Sequence, residues 1–160
     1  MNAATEQPPA GIDYAQDFYA WTQRQAQLAR AGRLGELDLD HLAEEIESMG
    51  RSQLRAVTSL IAQVVIHLLC LQFSPAIGLR RHWRIEVRQF RRDIALHLAD
   101  SPSLRPRLDD ALASQWSHAR AIALEKLTGD SVRDLPAQCP YAVAQVLDED
   151  WFPANEHGAA

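Results

Sequence analysis

An apolar helical repeat in the middle of the sequence constrains the fold more than any other feature. Apolar side chains recur there at alternating steps of three and four residues: Leu54, Val57, Ile61, Val64, Leu68 and Leu71. This is the period of an α-helix that buries one face, whereas a half-buried strand alternates every second residue. The most apolar run, Leu60–Leu71, has 12 residues and is interrupted by Gln63 and His67. Because a membrane-spanning helix needs about 20 apolar residues, we expect a core helix and no membrane partner.

The same period recurs along most of the chain. Further apolar seams lie over residues 14–28, 39–49, 83–98 and 104–122, and Pro140 opens a short apolar stretch ending at Leu147. No stretch of any length alternates as a strand does. The second seam meets the central one through a five-residue step at Gly50, a weak helix former. The sequence therefore predicts an all-α bundle of four main helices, the second long and kinked or broken near Gly50, plus a short C-terminal helix.

Length and composition favour one folded domain. The 160 residues are 47% hydrophobic, which suffices for a single core. We expect flexible tails over residues 1–12 and 154–160, and one helical-bundle domain over residues 13–153. Two cysteines, Cys70 and Cys139, are too few for a disulfide framework, and the first residues lack the features of a signal peptide. These observations predict a cytoplasmic protein.

Several motifs, in order along the chain, resemble a known family. They are Asp17–Trp21, Leu42–Glu47, Ser101–Pro106, Cys139–Tyr141 and Leu147–Asp150. Together they resemble the bacterial family catalogued as domain of unknown function 29, over residues 13–153. The resemblance implies a helical bundle and a soluble bacterial protein. It carries no activity, so no catalytic residue is assigned from it.

The charges of the chain are segregated along the sequence. The net charge is −5, but residues 1–50 carry −6, residues 51–107 carry +7 and residues 108–160 carry −6. Most of the central excess lies on one predicted helix, at Arg80, Arg81, Arg84, Arg88, Arg91 and Arg92. At about 100° per residue, all six project from one flank of the apolar seam of that helix.

These arginines admit three interpretations. A guanidinium pairs with carboxylate or phosphate through two parallel hydrogen bonds. Because Asp40, Glu44 and Glu47 cluster on the second predicted helix, the first interpretation is an arginine–carboxylate ladder, within one chain or across a dimer. The second is a surface for another protein. The third is a phosphate or nucleic-acid site, which the 21 acids of the chain disfavour by repulsion.

A metal site is a further alternative. Glu45, His67 and His97 flank apolar seams, and His41 lies one turn before Glu45. Carboxylates and imidazoles that project inward from facing helices hold metals in bundles, and such metals can activate water. The sequence has no HExxH or CxxC motif, and isolated histidines beside a seam are usually hydrogen-bonded core residues. No cofactor is therefore predicted, and a metal ion is left open.

The leading hypothesis is a non-enzymatic protein–protein interaction or regulatory module that acts as a homo-oligomer or on another protein. The arginines at 80–92 and the acids at 40–47 would form its contacts. The first alternative is a metal-dependent enzyme that uses Glu45 and His67 with His97 or His41. The second is a phosphate or nucleic-acid binder that works through the arginines, and we expect nucleic acid to be an unlikely partner.

Overall fold

The structure is a computed structural model that describes residues 14–127 and 135–158. Its α-helices are α1 (Phe18–Arg30), α2 (Leu39–Phe73), α3 (Ile77–Asp100), α4 (Leu108–Lys126) and α5 (Val143–Leu147). Short 3-10 helices occupy Leu34–Glu36 and Pro102–Arg107, and neither described range contains a strand. The predicted all-α class, with four main helices and a short C-terminal one, is confirmed. The predicted tail over residues 1–12 lies outside the described residues.

The chain forms two compact units, Met1–Arg51 and Ser52–Ala160. Their boundary falls inside α2, which continues as one 35-residue helix through Gly50. The helix is therefore not broken at this glycine. A glycine in a helix interior costs only about 1 kcal/mol relative to alanine, and the long apolar segment that follows offsets this. The expectation of a single domain over residues 13–153 stays a prediction.

In the first unit, α1 and the start of α2 are each set by a capping aspartate. The Asp17 side chain accepts a hydrogen bond from the Ala20 amide at 2.9 Å, so α1 begins at residue 18, four residues after the start of its apolar seam. Gly32 follows the end of α1 with a φ of +69°, a conformation that favours glycine. The Asp38 carboxylate accepts from the His41 amide at 3.4 Å, which makes Asp38 the cap of α2.

In the second unit, the predicted seams form the core. Buried side chains of α2 from Val57 to Leu71 pack in one cluster with Val87 and Ile94 of α3 and with Ala119 of α4. An 18-residue window of α2 reaches a mean hydropathy of 1.9, so by length and composition α2 could cross a membrane. Because 61% of that window is buried inside the protein, its apolar character is explained by packing in the core.

The start of α4 differs from the expectation. The apolar seam over residues 104–122 predicts a helix that begins near residue 104. Instead, Pro102–Arg107 forms a 3-10 helix and α4 begins at Leu108. Pro106 has no amide hydrogen to donate, which a short 3-10 segment tolerates. Asp109 and Asp110 then supply negative charge to the first turn of α4, where it is favourable.

The C-terminal segment binds the end of α2. The Asn155 side-chain amide donates to the carbonyl oxygens of Leu71 at 2.8 Å and Ser74 at 3.0 Å. The Glu156 amide donates to the Gln72 carbonyl oxygen at 2.8 Å. The last carbonyls of a helix have no partner within it, and these bonds satisfy several of them. Contacts to the helices thus continue past residue 153, where the sequence suggested that a tail begins.

Candidate functional site

The six arginines of α3 divide into two classes by burial. Arg91 is 2% exposed and Arg80 is also buried. The exposed members are Arg81, Arg84, Arg88 and Arg92. On the helical wheel, the two buried arginines are the ones nearest the apolar seam, at about 60–80° from Trp83, against about 100–180° for the others. Ranking by this angle is the sequence signal that would have separated the two classes.

The hydrogen bonds of the Arg91 side chain all go to backbone carbonyls. Its Nε donates to Val146 at 2.8 Å and its Nη2 donates to Gln145 at 2.9 Å, both in the last turn of α5. Its Nη1 donates to the Trp151 carbonyl oxygen at 2.8 Å. Burial lowers the pKa of Arg91 to about 10, so it remains charged at neutral pH. This arginine joins α3 to the C-terminal segment.

Arg80 has a similar structural role at the other end of α3. Its Nη1 donates to the Leu71 carbonyl oxygen at 2.7 Å, near the end of α2. Burial, together with the neighbouring charge of Arg84, lowers the pKa of Arg80. Arg80 and Arg91 are therefore committed to helix ends, and neither is available to a partner.

Phe152 lies against the arginines in the middle of α3. Its ring centroid is 4.6 Å from Cζ of Arg84, 5.5 Å from Cζ of Arg88 and 5.0 Å from Cζ of Arg91. A guanidinium at such a distance from an aromatic ring is attracted electrostatically. The contact orders Arg84 and Arg88 without neutralising either charge.

The outer side of α3 presents a mixed basic and aliphatic surface. This surface, called the α3 surface below, consists of Ile77, Arg81, Arg84, Ile85, Arg88 and Arg92. Most of these residues line a cleft of about 500 Å³, and Ile77 and Ile85 are 67% and 57% exposed. Among the described residues of the Ser52–Ala160 unit, no ion pair joins an arginine of α3 to a carboxylate. The surface thus carries positive charge that its own unit leaves unpaired.

The predicted acidic partners, Asp40, Glu44 and Glu47, lie in the Met1–Arg51 unit. All three are exposed on α2. Glu47 pairs with Arg51 one turn later, at 3.2 Å. The acidic and basic halves of the predicted ladder therefore belong to different compact units, and their pairing stays a prediction.

The first unit contains an open apolar groove between α1 and the beginning of α2. It has a volume of about 510 Å³ and includes Phe18, Trp21, Ala26, Leu42, Ile46 and Met49 in its lining; we call it the hairpin groove. Ile46 and Met49, with nearby Leu39, are 65–69% exposed. Most of the apolar seam over residues 39–49 is therefore exposed, although a seam of this period is typical of a buried helix face. The period of the seam is helical, but within this unit the described residues leave its apolar face open.

Beside this groove, Tyr14, Trp21, Asp38, His41 and Glu45 form a polar–aromatic cluster. The Tyr14 hydroxyl donates to Glu45, and its ring stacks on His41 with centroids 4.1 Å apart. His41 Nδ1 lies 2.7 Å from the Asp38 carboxylate, which also accepts from the Trp21 indole at 3.2 Å. Hydrogen bonding to Asp38 raises the pKa of His41, and His41 in turn lowers the pKa of Asp38. The bond to Glu45 raises the pKa of Tyr14.

Sequence reasoning missed most of this cluster. In the sequence, Tyr14 and Trp21 are distinguished only as members of the apolar seam over residues 14–28, and the pattern gives Asp38 no role beyond the start of a helix. The signal that could have found them is the seven-residue spacing of Tyr14 and Trp21 on one apolar seam, followed by Asp38 at the start of the next helix. The metal candidates Glu45 and His41 are both engaged here with protein groups.

His67, the third metal candidate, is buried between α2 and α3. Its Nδ1 lies 2.7 Å from the Gln63 carbonyl oxygen, which can only accept, so Nδ1 carries a hydrogen. Its Nε2 lies 2.8 Å from the Glu86 carboxylate, which His82 also approaches, at 3.3 Å. Burial lowers the pKa of His67, and Glu86 acts in the opposite direction. His67 is therefore the buried partner of the acid that lies among the arginines of α3.

The metal candidates are not assembled into one site in the part of the chain that the structure describes. His97 is half-buried on α3, and residues 14–127 and 135–158 contain no group of three or more His, Cys, Asp or Glu side chains that could hold a metal ion. The hydrogen-bonded roles of Glu45, His41 and His67 account for their positions beside apolar seams.

Comparison with known proteins supplies the family. The model of the family described as Domain of unknown function DUF29 matches residues 14–152. The matched range contains all five α-helices, the α3 surface and the hairpin groove. Searches of curated proteins and of solved structures find no match. Because the family model covers most of the sequence, the chain belongs to the DUF29 family.

Proposed function

We propose that this protein is a non-enzymatic protein–protein interaction module that makes contact through its α3 surface. The observation that carries the proposal is the difference among the six arginines. Two are buried and bind helix ends, whereas four are exposed beside two exposed isoleucines. If all six arginines only stabilised the fold, we would expect each to donate hydrogen bonds within the chain, as Arg80 and Arg91 do.

The composition of the α3 surface favours a protein over a polyanion. Phosphate binding gains nothing from Ile77 and Ile85, whereas a protein interface buries aliphatic area and is enriched in arginine. The net charge of −5 would also repel a nucleic acid around the basic surface. The alternative of a metal-dependent enzyme has no assembled donor set in its favour among the described residues.

The setting that we propose is the cytoplasm. Cys70 and Cys139 are both free thiols in the structure, as is common where glutathione keeps thiols reduced. The partner that we propose is a second copy of the chain.

The test reverses charge on the α3 surface. We expect the double variant Arg84→Glu/Arg88→Glu to lose self-association, measured as molar mass by light scattering, while its melting temperature stays within a few degrees of wild type. Arg55→Glu is the control, because Arg55 is exposed on α2 outside the surface. It should associate as the wild type does.

Two results would contradict the proposal. One is a double variant that associates as strongly as the wild type. The other is salt-sensitive binding of the wild type to duplex DNA or heparin, lost in the double variant, without any self-association. That second result would support the phosphate or nucleic-acid alternative.

A further inference from the structure

We propose that the α3 surface of one copy packs antiparallel along the exposed edge of the hairpin groove of a second copy, and that the two copies exchange this contact reciprocally. The inference rests on the proposed function and names the partner surface. Each chain carries one α3 surface and one hairpin groove, so two copies related by a twofold axis satisfy both. Closed twofold pairs are the commonest form of homo-oligomer.

The apolar parts of the two surfaces complement each other. In the hairpin groove Ile46 and Met49 are 67% and 69% exposed, and nearby Leu39 is 65% exposed. On the α3 surface Ile77 and Ile85 are 67% and 57% exposed. Exposed apolar surface such as that of the hairpin groove commonly marks an interaction site. An apolar groove between two helices is suited to receive one face of a third helix. Contact between the two surfaces would therefore bury exposed apolar side chains of both.

The charged parts match in sign and in order. On α2, Asp40, Glu44 and Glu47 follow one another at steps of four and three residues. On α3, Arg88, Arg84 and Arg81 follow one another at the same steps when read in the opposite direction. At about 1.5 Å per residue, each row spans about 10.5 Å along its helix. An antiparallel arrangement therefore aligns three carboxylates with three guanidiniums.

Two members of the acidic row, Asp40 and Glu47, flank the exposed apolar edge of α2, and Glu44 lies farther round the helix. On the wheel of α2, with Ile46 at zero, Glu47 and Asp40 lie at about 100–120° and Glu44 at about 160°. In the register that aligns the charges, Ile85 lies opposite residue 43, between Leu39 and Ile46. Docking of Ile85 on this edge therefore brings the arginines toward Asp40 and Glu47. Glu47 is available to such a partner because its bond to Arg51 is exposed on both sides, and exposed pairs contribute little.

The test is a charge exchange read by sedimentation velocity at low salt. One chain carries Arg84→Glu/Arg88→Glu, a second carries Asp40→Arg/Glu44→Arg, and a third carries all four changes. Either double variant alone should raise the dissociation constant of the dimer at least about tenfold. The four-fold variant should return to within about threefold of wild type, and an equimolar mixture of the two double variants should associate. Arg30→Glu/Arg55→Glu, with both arginines exposed outside the two surfaces, is the control and should associate as the wild type does.

The outcomes separate this inference from the proposed function. If the arginine reversal weakens association but the four-fold variant does not restore it, the α3 surface is a contact and the hairpin groove is not its partner. If the arginine reversal has no effect, or the wild type is monomeric at every concentration, both proposals are overturned. If the variants change melting temperature while the chain stays monomeric, the rows pair within one chain and the inference is overturned. Should the Asp40→Arg/Glu44→Arg chain fail to fold, Glu44→Arg with Arg84→Glu gives the same exchange at a single pair.

Discussion

The Arg91 guanidinium donates hydrogen bonds to the carbonyl oxygens of Gln145, Val146 and Trp151. A guanidinium is suited to this position because its donors point in fixed directions within one plane, whereas a lysine ammonium is a single point charge. The cost of burying the charge is visible in the lowered pKa, about 10. In return, its three hydrogen bonds hold the end of α5 and the backbone of Trp151 against α3.

We expect Arg91→Lys to lower the free energy of unfolding by at least about 1.5 kcal/mol and Arg91→Met by about 3 kcal/mol, because carbonyls bonded to a charged donor lose their partners. Arg92→Lys and Arg92→Met, one position along on the exposed side of α3, should stay within about 0.5 kcal/mol of wild type. Urea unfolding measures all four variants. A loss at position 92 as large as that at position 91 would be inconsistent with this division of roles.

The His41–Asp38 pair predicts a pH dependence in the first unit. The pKa of His41 is raised above 6.5, so its contribution to stability is complete below pH 6.5 and is lost as the pH rises through the raised value. The pKa of Asp38 is lowered below 3.8, so its contribution is complete above pH 3.8 and is lost as the pH falls through the lowered value. The pair therefore stabilises most between about pH 4 and 6.5.

NMR titration of the His41 ring tests this directly. The wild type should titrate above 6.5, and Asp38→Asn should move the pKa of His41 downward because the charged hydrogen-bond partner is removed. His118→Gln, on the exposed surface of α4, is the control variant and should leave the pKa of His41 unchanged. A His41 pKa at or below 6.5 in the wild type would show that the pair does not form.

At the scale of the element, α2 shows what apolar periodicity can and cannot predict. The period identified a helix on both sides of Gly50, and the apolar seam residues from Val57 to Leu71 are buried as expected. The side chains of Leu39, Ile46 and Met49 have the same period and are exposed. The period of the apolar residues indicates the conformation of the backbone. Burial depends on whether another element covers the apolar face, and the sequence of one helix does not determine whether it is covered.

Gly50 supplies a prediction at this scale. It lies inside α2, and a Cβ added there would have no heavy atom within 4 Å. We expect Gly50→Ala to raise the free energy of unfolding by about 0.5–1 kcal/mol through backbone entropy. Gly32→Ala is the contrasting variant, since the φ of +69° at Gly32 is strained for alanine, and it should destabilise. Thermal melting distinguishes the two, and a destabilising Gly50→Ala would mean that the helix needs flexibility there.

The arginines of α3 also show that spacing along one helix does not predict burial. Their common flank was evident from spacing, but that spacing assigned all six to one role. Arg80 and Arg91 are buried because the ends of α2 and α5 arrive beside the apolar seam, and such contacts depend on the tertiary structure. The pairing of His67 with Glu86 was likewise outside what single-helix patterns could predict. The pairing of His41 with Asp38 is an i, i+3 contact that local spacing could have indicated.

At the scale of the whole molecule, the net charge of −5 conceals strong segregation between segments. The basic excess is divided between buried arginines that hold helix ends and an exposed basic–aliphatic surface, and the acidic N-terminal unit carries an open apolar groove. The family is described as a domain of unknown function, so membership assigns no reaction to the chain. Two surfaces of opposite charge, each with exposed aliphatic area, favour the proposal that the molecule works by association.

The most direct test of that account is the molar mass of the wild-type chain, measured by light scattering as its concentration is raised at low and at high salt. The account predicts a rise from 17.9 kDa toward twice that value at low salt. High salt should shift the rise to higher concentration, because exposed charge pairs are screened. A mass that stays at 17.9 kDa at every concentration and salt would contradict it.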